Sequence, residues 1–540
     1  MKTIYYGGSV FTGALPLREA FAVEEGQFFA VGSNEEILGL KEPGDETVDL
    51  EGKFVCPGFN DSHMHLLNFG YALEICDLSA CTGSLQALQE GLRQFRDTHP
   101  MEPGGWLLGR GWNQDLFSPA TGIPTRRELD EVTTEYPLCI VRCCGHCLSV
   151  NSRALELLGL NSRIPQIPGG SYDVDAQGEM TGVFRDNAMT LVYSRMAPHS
   201  REDLKRMLRA GCRALNECGI TSCHSDDLLT FESVCWEEVL AAYRELEQEG
   251  GLTVRVCQQS QFTTPEGLRD FLGRGYNTGA GTNLFRIGPL KMLGDGSLGA
   301  RTAFLSGSYA DAPGERGIAI FTQQEFDDMI SLAHREGMQI AIHAIGDGIL
   351  DRILSAFEKA FAAHPRSDHR SGIVHAQITR PDQLEKMKEL HLHACIQTVF
   401  LDYDSRIVRQ RVGDGLAATS YAFGTMGKMG ISLSNGTDCP VEPPQPLRGI
   451  QCAVTRQPLD GHLPPYRPEE AMTVEQALRS YTVSGAWASF EEGKKGEILP
   501  GQLADFVILS ENPFVCSPEK LSQIRAEATF LEGRCVFRNC

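Results

Sequence analysis

The sequence has 540 residues, a length that favours one large domain and one smaller domain. Hydrophobic residues make up 42% and charged residues 22%, a balance typical of a globular protein. The formal net charge of −21 argues against nucleic acid and anionic membranes as partners. No apolar run is long enough to span a bilayer, and the first residues lack the uninterrupted apolar core of a signal peptide. We therefore expect the 18 cysteines to be reduced thiols and the protein to be cytoplasmic.

Both ends of the sequence show the same pattern of apolar and polar residues. Residues 1–55 alternate apolar and polar side chains with frequent turns, and residues 497–540 do the same. Period-two alternation punctuated by glycine is typical of short antiparallel strands. We expect these two segments to form one composite β-sandwich domain.

Between the two ends, short apolar runs end in polar residues, and amphipathic helices separate most of them. Helical stripes that stop at Gly219 and Gly337 support this alternation. It predicts an α/β fold, a (β/α)8 TIM-like barrel over residues 56–496, with the active site at the C-terminal ends of its strands. The eight predicted strands lie within residues 54–65, 219–227, 252–260, 286–296, 339–347, 371–377, 393–400 and 430–440.

One connection is too long for a single helix. It spans about residues 66–200 and includes a strand-like run and a loop rich in proline and glycine. We interpret it as an insertion after the first barrel strand and expect Trp106 and Trp112 near the substrate pocket.

His63 and His65 stand two residues apart at the end of the first barrel strand. Alternate side chains of a strand point the same way, so both imidazoles can converge on one metal ion. Asp61, two residues earlier, is placed to support them by hydrogen bonding. A lone histidine at a strand end is usually structural, but this pair favours a metal site.

Later strands bring further candidate ligands to the same rim. His343 ends the fifth strand, His375 ends the sixth and Asp438 ends the eighth. Four imidazoles and one carboxylate suit Zn²⁺ or another borderline divalent metal that keeps an open coordination position.

Lys291 lies among apolar residues of the fourth predicted strand. A buried lysine is costly unless its charge is removed or paired. Reaction with CO₂ to an anionic carbamate that bridges two metals is one solution, and pairing with Asp295 or another acid of the rim is the other. We expect one or two metal ions per subunit.

These motifs together resemble the amidohydrolase superfamily, and the resemblance covers essentially the whole chain. PGFNDSHMH, the strand-four lysine, the histidines of strands five and six, and GTDCP carry it. GRGWNQD, GHCLSVNSRALELLG, KMLGDGSLGARTA and AIHAIGDGILD resemble the branch that contains N-substituted formamide deformylases, amidohydrolase family 3. The resemblance implies a metal-dependent hydrolase, most often of zinc type, that cleaves a C–N bond in a small amide, N-formyl, N-acyl or cyclic amide compound.

The resemblance also implies a mechanism. A bound metal lowers the pKa of water and polarises the substrate carbonyl. Asp438 takes the water proton and passes it to the leaving nitrogen. His146 is implied as a pocket residue. Two alternatives stay open: a metal-dependent lyase or isomerase on the same barrel, and a catalytically silent regulatory homologue.

Three positions depart from the pattern of this branch. Val374 stands where a glutamate usually precedes the strand-six histidine, Gln397-Thr398 replaces a Gln-Pro pair, and Thr437 replaces a serine before Asp438. Val374 removes a carboxylate near the site, so the usual network around the ligands and the usual substrate choice do not carry over automatically.

The remaining candidates have two readings each. Asp295 and Arg301 are placed to bind polar substrate groups or to form a salt bridge at the rim. His224 ends the second strand and is either a substrate contact or an imidazole packed for structural reasons. A homodimer is the commonest form for a soluble enzyme.

Cys143, Cys144 and Cys147 contain a C-x-x-C pair. A redox pair or a structural zinc site would use this spacing, but the sequence has no second C-x-x-C to complete four ligands. We expect a buried strand followed by a loop here.

Overall fold

The computed structural model describes residues 1–79, 81, 83–99, 105–114, 117–142, 147–165, 170–196, 198–231 and 233–539. Within these residues the strands, in chain order, are β1 (Thr3–Tyr6), β2 (Ser9–Val10), β3 (Ala20–Glu24), β4 (Gln27–Gly32), β5 (Glu46–Asp49), β6 (Phe54–Pro57), β7 (Phe59–Met64), β8 (Cys76–Asp77), β9 (Leu107–Trp112), β10 (Leu138–Arg142), β11 (Cys147–Val150), β12 (Gly170–Val174), β13 (Met180–Asp186), β14 (Ile220–Ser225), β15 (Arg255–Gln261), β16 (Phe285–Leu293), β17 (Ile340–Ala344), β18 (Gly372–His375), β19 (His393–Ile396), β20 (Leu433–Asn435), β21 (Phe506–Leu509), β22 (Ala526–Leu531) and β23 (Arg534–Arg538).

The α-helices of the same residues are α1 (Asn34–Leu38), α2 (Leu66–Leu73), α3 (Leu85–Thr98), α4 (Arg126–Asp130), α5 (Ser152–Leu157), α6 (Thr190–Tyr193), α7 (Arg201–Glu217), α8 (Trp236–Gln248), α9 (Pro265–Gly273), α10 (Gln323–Arg335), α11 (Asp347–Ala363), α12 (Pro381–Glu389), α13 (Leu401–Asp404), α14 (Val408–Ala417), α15 (Phe423–Met429), α16 (Pro446–Thr455), α17 (Val474–Ser480) and α18 (Val483–Ala488). Short 3₁₀ helices cover Asn187–Met189, Thr398–Phe400, Pro468–Glu470 and Pro518–Gln523.

Eight parallel strands form the sheet that carries the candidate site. Their order is β7-β14-β15-β16-β17-β18-β19-β20, which is also their order in the sequence. The backbone N–H of Asp438, just beyond β20, donates to the carbonyl of His63 in β7 at 2.8 Å, so the two ends of the sheet meet. The sheet thus has the form of a TIM-like barrel, and the eight predicted strands are confirmed.

Amphipathic helices follow the barrel strands because their apolar stripes cover the sheet. In α10, Thr322 caps the first turn, and the buried face carries Phe326, Met329, Ile330 and Ala333. The chain then turns at Gly337, whose φ of 84° is in the left-handed region that favours glycine. The predicted helical stripes before the fifth and sixth strands are confirmed by α10 and α11.

The two ends of the chain pair with each other. Strand β6 lies antiparallel to β21 in the sheet β2-β6-β21-β22-β23, while β4-β3-β1-β5 form a second sheet. One hydrophobic cluster contains Tyr5 and Phe21 from the second sheet and Phe506 and Phe530 from the first, and the last two rings stack at 4.3 Å. The sandwich form of this domain and its expected limits stay predictions.

A buried ion pair joins the terminal segment to the barrel. The Arg255 guanidinium of β15 is 2% exposed and donates from Nε to Asp505 Oδ2 at 2.6 Å and from Nη2 to Oδ1 at 3.0 Å. Nη2 also reaches Glu532 at 3.0 Å. This two-pronged geometry satisfies a charge that would be costly to bury alone.

The chain forms two compact units, one of Met1–Asn68 with Leu208–Cys540 and the other of Phe69–Met207. The second unit has its own sheet, of order β12-β13-β11-β10-β9-β8, and its own hydrophobic clusters. The insertion expected over about residues 66–200 lies mostly in this unit. In the part of the chain that the structure describes, no helix combines the length and apolar character needed to cross a membrane.

Candidate metal centre

Two imidazoles and a carboxylate converge at the C-terminal end of the barrel. Nε2 of His63 lies 3.3 Å from Oδ1 of Asp438, and Nε2 of His65 lies 3.1 Å from the same oxygen. In the described residues, these three form the group whose ligand atoms are mutually close enough to hold one metal ion. The sequence predicted all three as ligands.

Asp61 fixes the two loops that present these ligands. Its buried carboxylate accepts from the backbone N–H of His63 at 3.2 Å and from Thr437 twice, N–H at 3.0 Å and Oγ1–H at 2.5 Å. The hydroxyl of Thr437 therefore makes a contact that serine could also make. Burial raises the pKa of Asp61 to about 7, against the hydrogen bonds that lower it.

Gly436 allows the first and eighth strands to approach each other. A Cβ at this position would lie 2.6 Å from the His63 backbone nitrogen, closer than any side chain tolerates. Asp438 follows with a φ of 60°, which turns its carboxylate toward the two histidines. Local backbone geometry, as well as side-chain choice, thus creates the site.

The three histidines nearest the centre share one orientation. Nδ1 of His63 donates to Gln259 Oε1 at 2.7 Å, Nδ1 of His375 donates to Gln397 Oε1 at 2.6 Å, and Nδ1 of His65 donates to the Asp226 carbonyl at 3.1 Å. Each bond places the proton on Nδ1 and leaves the Nε2 lone pair available to a metal.

Two lone pairs thus point at one carboxylate oxygen. In the neutral form with its proton on Nδ1, each of these imidazoles has an Nε2 lone pair, and Nε2 of both His63 and His65 lies near Asp438 Oδ1. Three electron-rich atoms at this separation require a cation between them, either a proton or a metal. Buried imidazole and carboxylate donors are those that borderline divalent metals prefer, so the residues fit such an ion.

Electrostatics favours the metal-ligand form of His63, His375 and Asp438, whereas the charge of Asp438 favours a proton or another cation at His65. Burial and the Lys291 charge lower the pKa of His63 to about 4, and burial holds that of His375 well below its usual value. Burial lowers the pKa of His65 as well, but the hydrogen bond and charge of Asp438 outweigh it and raise the pKa to about 9. Burial disfavours ionised Asp438, but the hydrogen bonds with the two histidines hold its pKa well below the usual value.

Lys291 lies beside the same group and is completely buried. Its Nζ is 3.3 Å from His63 Nε2 and 3.5 Å from Asp226 Oδ2. The acid beside it is therefore Asp226, whereas the sequence had offered Asp295 by name. The other oxygen, Asp226 Oδ1, is buried without a hydrogen-bond partner in the described residues. An unpaired buried oxygen next to the ligands also favours a bound cation.

His343 and His375 flank the three-residue group rather than belong to it. Their ring centroids lie 4.4 Å apart, and the His375 centroid lies 5.5 Å from that of His63. His343 is oriented differently from the others, because its Nε2 lies 3.1 Å from the Gly296 carbonyl and 3.3 Å from Asp295 Oδ1.

Asp295 and Arg301 have structural partners. The Asp295 carboxylate accepts backbone N–H bonds from Phe304, Ile345 and Gly346 at 2.8 to 3.0 Å. Arg301 pairs with Asp311 through two hydrogen bonds, at 3.0 and 2.8 Å. Arg301 thus forms a salt bridge, with Asp311 as its partner. Contact of Asp295 or Arg301 with substrate stays a prediction.

Other candidates lie elsewhere or outside the described residues. Trp112 is fully buried in a hydrophobic cluster of the Phe69–Met207 unit, so its side chain has no exposed surface to offer a ligand. His146, Cys143 and Cys144 lie outside the described residues, and Cys147 is buried in β11. Trp106 is partly buried and packs against another hydrophobic cluster of the same unit.

Val374 lies inside the barrel, beneath the ligands. It lines a cavity of about 30 Å³ together with Ser62, His224 and Cys395, and it is fully buried. His224 therefore faces the interior, and its Nε2 has no hydrogen-bond partner in the described residues. An apolar side chain replaces the usual carboxylate in this space.

Sequence reasoning did not predict the contacts that Gln259, Gln397 and Asp226 make with the histidines and Lys291, although it had noted Gln397 as part of a departure from the family pattern. Each stands close to the C-terminal end of a barrel strand, in the runs CQQS, CIQT and CHSDD. Polar residues at these ends were the available signal, but each partner is set by the curvature of the barrel rather than by spacing along the chain.

Comparisons with known proteins agree with this geometry. A family model described as the Amidohydrolase family matches residues 46–537. The chain is 32% identical to the Bacillus subtilis amidohydrolase YtcJ over 99% of both chains, and 26% identical to the N-substituted formamide deformylase of Arthrobacter pascens over 95% of this chain and 94% of that one. A solved metal-dependent hydrolase from Pyrococcus horikoshii OT3 is 29% identical, with a TM-score of 0.78 over 96% of this chain and 99% of that one.

Proposed function

Because this chain belongs to the amidohydrolase family and is a metal-dependent hydrolase, we propose that it cleaves the C–N bond of a small amide with water. The substrate class is an N-formyl, N-acyl or cyclic amide compound. The similarity to an N-substituted formamide deformylase over 95% of the chain supports this choice of bond.

The observation that carries the proposal is the convergence on Asp438 Oδ1. Nε2 of His65 and Nε2 of His63 lie 3.1 and 3.3 Å from it at the C-terminal rim of the barrel. His63, His65 and Asp438 would hold a divalent metal, with His343, His375 and Lys291 beside them. We propose zinc, because nitrogen and carboxylate donors of this kind are typical of zinc hydrolases.

When bound, the metal would supply Lewis acidity, which makes water more acidic and a carbonyl more electrophilic. The residues of the chain do the rest. Asp438 accepts the proton of the attacking water at its carboxylate and transfers it to the leaving nitrogen. Asp61 holds Thr437 and therefore the direction of the Asp438 carboxylate. Gln259 and Gln397 keep the protons of His63 and His375 on Nδ1.

Lys291 decides between one metal and two. Its Nζ is completely buried near His63 and Asp226, where a free ammonium is poorly solvated. We propose that it carries a carbamate, which would bring a further anionic oxygen donor pair and support a second metal.

A reducing, cytoplasmic setting is consistent with the absence of disulfides among the cysteines of the described residues.

The test is a panel of small amides with protein loaded with zinc, manganese or cobalt. We expect release of an amine and, in H₂¹⁸O, one ¹⁸O atom in the carboxylate product. Product formed without ¹⁸O would favour a lyase or an isomerase instead. Protein that binds metal but turns over none of the amides would favour a regulatory homologue.

A further inference from the structure

Two buried polar atoms without a hydrogen-bond partner face the small cavity beneath the metal centre. The cavity has a volume of about 30 Å³, and its lining includes Ser62 and His224, which are 1% and 5% exposed. Among the residues that the structure describes, neither the Ser62 hydroxyl nor Nε2 of His224 has a hydrogen-bond partner. Buried polar atoms nearly always have one, so two such atoms on one cavity indicate a small bound molecule.

The rest of the polar lining is already satisfied by the protein. Each of the other polar side chains makes at least one hydrogen bond: Gln259, Gln339, Arg370, His393, Cys395 and Ser434. His393, for example, uses both ring nitrogens, with the hydroxyls of Ser432 at 3.0 Å and Ser434 at 2.7 Å. The two unsatisfied groups therefore belong to the side of the cavity that the first two barrel strands form.

The strand register brings these two groups together. Between two regular pairs, β7 has one residue more than β14; the pairs are Asp61 with Cys223 and Met64 with Ser225. Ser62 and His63 therefore stand opposite the single residue His224, which is the arrangement of a β-bulge. Neighbouring strands lie about 4.8 Å apart, so one small molecule can contact both Ser62 and His224. The bulge includes the metal ligand His63.

The charges around the cavity favour a neutral molecule over an ion. Burial and the charge of Lys495 lower the pKa of His224 to about 3, so its imidazole is neutral at pH 7. The one cation of the lining, Arg370, is paired with Asp368 at 2.9 Å and with Glu492 at 2.6 Å.

Water has the size and the hydrogen-bonding capacity that this cavity requires. A neutral imidazole nitrogen and a hydroxyl can be matched by a molecule that both donates and accepts. A buried water needs about 10–15 Å³ of such space and at least two polar partners, and the cavity provides both conditions.

We propose that a water molecule bound between the Ser62 hydroxyl and Nε2 of His224 fixes the bulge that carries His63, so that both side chains are positioning residues of the metal centre. The Ser62 carbonyl accepts from Gln259 Nε2 at 3.3 Å and from Cys395 Sγ at 3.2 Å. Gln259 also orients His63. The backbone and the side chain of Ser62 are thus both held next to the same ligand.

The direct test is a high-resolution crystal structure of the full-length protein. We expect one ordered solvent peak at about 2.7–3.2 Å from both the Ser62 hydroxyl and His224 Nε2. A cavity without density, or a protein donor that fills it, would overturn the inference. This measurement requires neither bound metal nor substrate.

A thermal test uses Val374, which also lines the cavity. Val374→Ile adds one carbon to this space. In a dry cavity the extra carbon would fill a void and raise Tm. We expect Tm to fall by a few degrees instead, because the displaced water leaves two buried polar atoms unpartnered.

The variant His224→Leu distinguishes loss of the water from simple overpacking. In this background Val374→Ile should no longer lower Tm, because one of the two partners of the water is already removed. An equal loss of Tm in both backgrounds would assign the effect to overpacking. That result, or a higher Tm of Val374→Ile in the parent, would overturn the inference.

The positioning role is tested by the zinc Kd, and only this measurement rests on the proposed function, through its metal. Ser62→Ala should raise the Kd several-fold, because the ligand strand loses a group that holds it. Ser149→Ala removes a fully buried serine of the Phe69–Met207 unit and should bind zinc as the parent does. An unchanged Kd in Ser62→Ala would exclude the positioning role. If the water is present and the Kd responds but no amide is hydrolysed, the proposed function fails and this inference stands.

Discussion

The Oε1 atom of Gln397 lies 2.6 Å from Nδ1 of His375, and Gln259 makes the equivalent contact to His63 at 2.7 Å. Each glutamine also donates from Nε2 to a backbone carbonyl, of Cys395 and of Ser62, at 3.3 Å. These second bonds fix the orientation of both amides. Neutral acceptors therefore set the tautomer of two histidines from opposite sides of the centre, without adding charge to it.

We expect Gln397→Met to weaken metal binding by roughly 10-fold to 100-fold, because the side chain keeps its length but loses the acceptor that orients His375. The measurement is the zinc Kd from competition with a chromophoric chelator. Gln324→Met, at an exposed position of α10, is the matched control and should bind zinc as the parent does. An unchanged Kd in Gln397→Met would show that the imidazole is oriented without this glutamine.

Asp438→Asn should lower kcat by at least about 100-fold, the usual contribution of a positioned general base, while the metal content falls much less. The reason is that asparagine keeps the side-chain shape and an oxygen near His63 and His65 but cannot accept the water proton. Turnover and zinc stoichiometry are measured on the same preparation. Near-normal turnover in the variant would remove Asp438 from the role of base.

Lys291 should carry additional density beyond Nζ in a crystal structure of the metal-loaded protein grown in the presence of bicarbonate. Lys495 is the internal control, because it is also buried but pairs with Glu491 at 3.1 Å and should remain a bare ammonium. We also expect Lys291→Ala to lose metal and to regain part of it with added propionate. A bare Lys291 ammonium next to bound metal would exclude the carbamate.

Glu491 should stabilise the fold in a pH-dependent way. Its side chain is 4% exposed and contacts Lys495 and Arg286, both at 3.1 Å. Burial raises the pKa of Glu491, but these two cations outweigh it and bring the pKa down from 4.5 to about 2. Since the pKa is lower in the folded state, the stabilisation is complete above pH 4.5 and is lost as the pH falls toward 2.

We therefore expect Glu491→Gln to lower the free energy of unfolding by about 3 kcal/mol at pH 7, because two buried cations lose their partner. The difference in Tm between parent and variant should narrow as the pH is lowered below 4.5. Glu266→Gln, which breaks an exposed pair with Arg269, is the control and should change Tm little. A Tm difference that is constant with pH would contradict this account.

The barrel and its ligand positions were predictable because short apolar runs and amphipathic stripes in the sequence indicate the alternation of strands and helices. Runs such as QIAIHAIGD and SGIVHAQ place a histidine at each strand end, and the structure has β17 and β18 at those places. In a parallel barrel all such ends face one rim, so proximity follows from topology. The approach of His65 to Asp438, which are 373 residues apart, is an example.

The partners of these residues were not predictable in the same way. For Lys291, the alternative to a carbamate was pairing with Asp295 or another acid of the rim, and the acid that lies beside it in the structure is Asp226. Trp112 was expected near the substrate pocket because it lies in the insertion after the first barrel strand, and its indole is buried in the Phe69–Met207 unit. Such contacts depend on strand register and side-chain packing, which hydrophobic periodicity does not specify.

The pairing of β6 with β21 has a consequence for how this protein is made. Strand β6 directly precedes β7, which carries His63, but its partner is translated more than four hundred residues later. On the ribosome, the segment leading into the first ligand strand must wait with an open edge until the last part of the chain has emerged. Arg255 likewise lacks its carboxylate partner Asp505 until that residue has been synthesised. A messenger cut short near its end would therefore yield chains that have every metal ligand and yet lack the strand that secures the first of them.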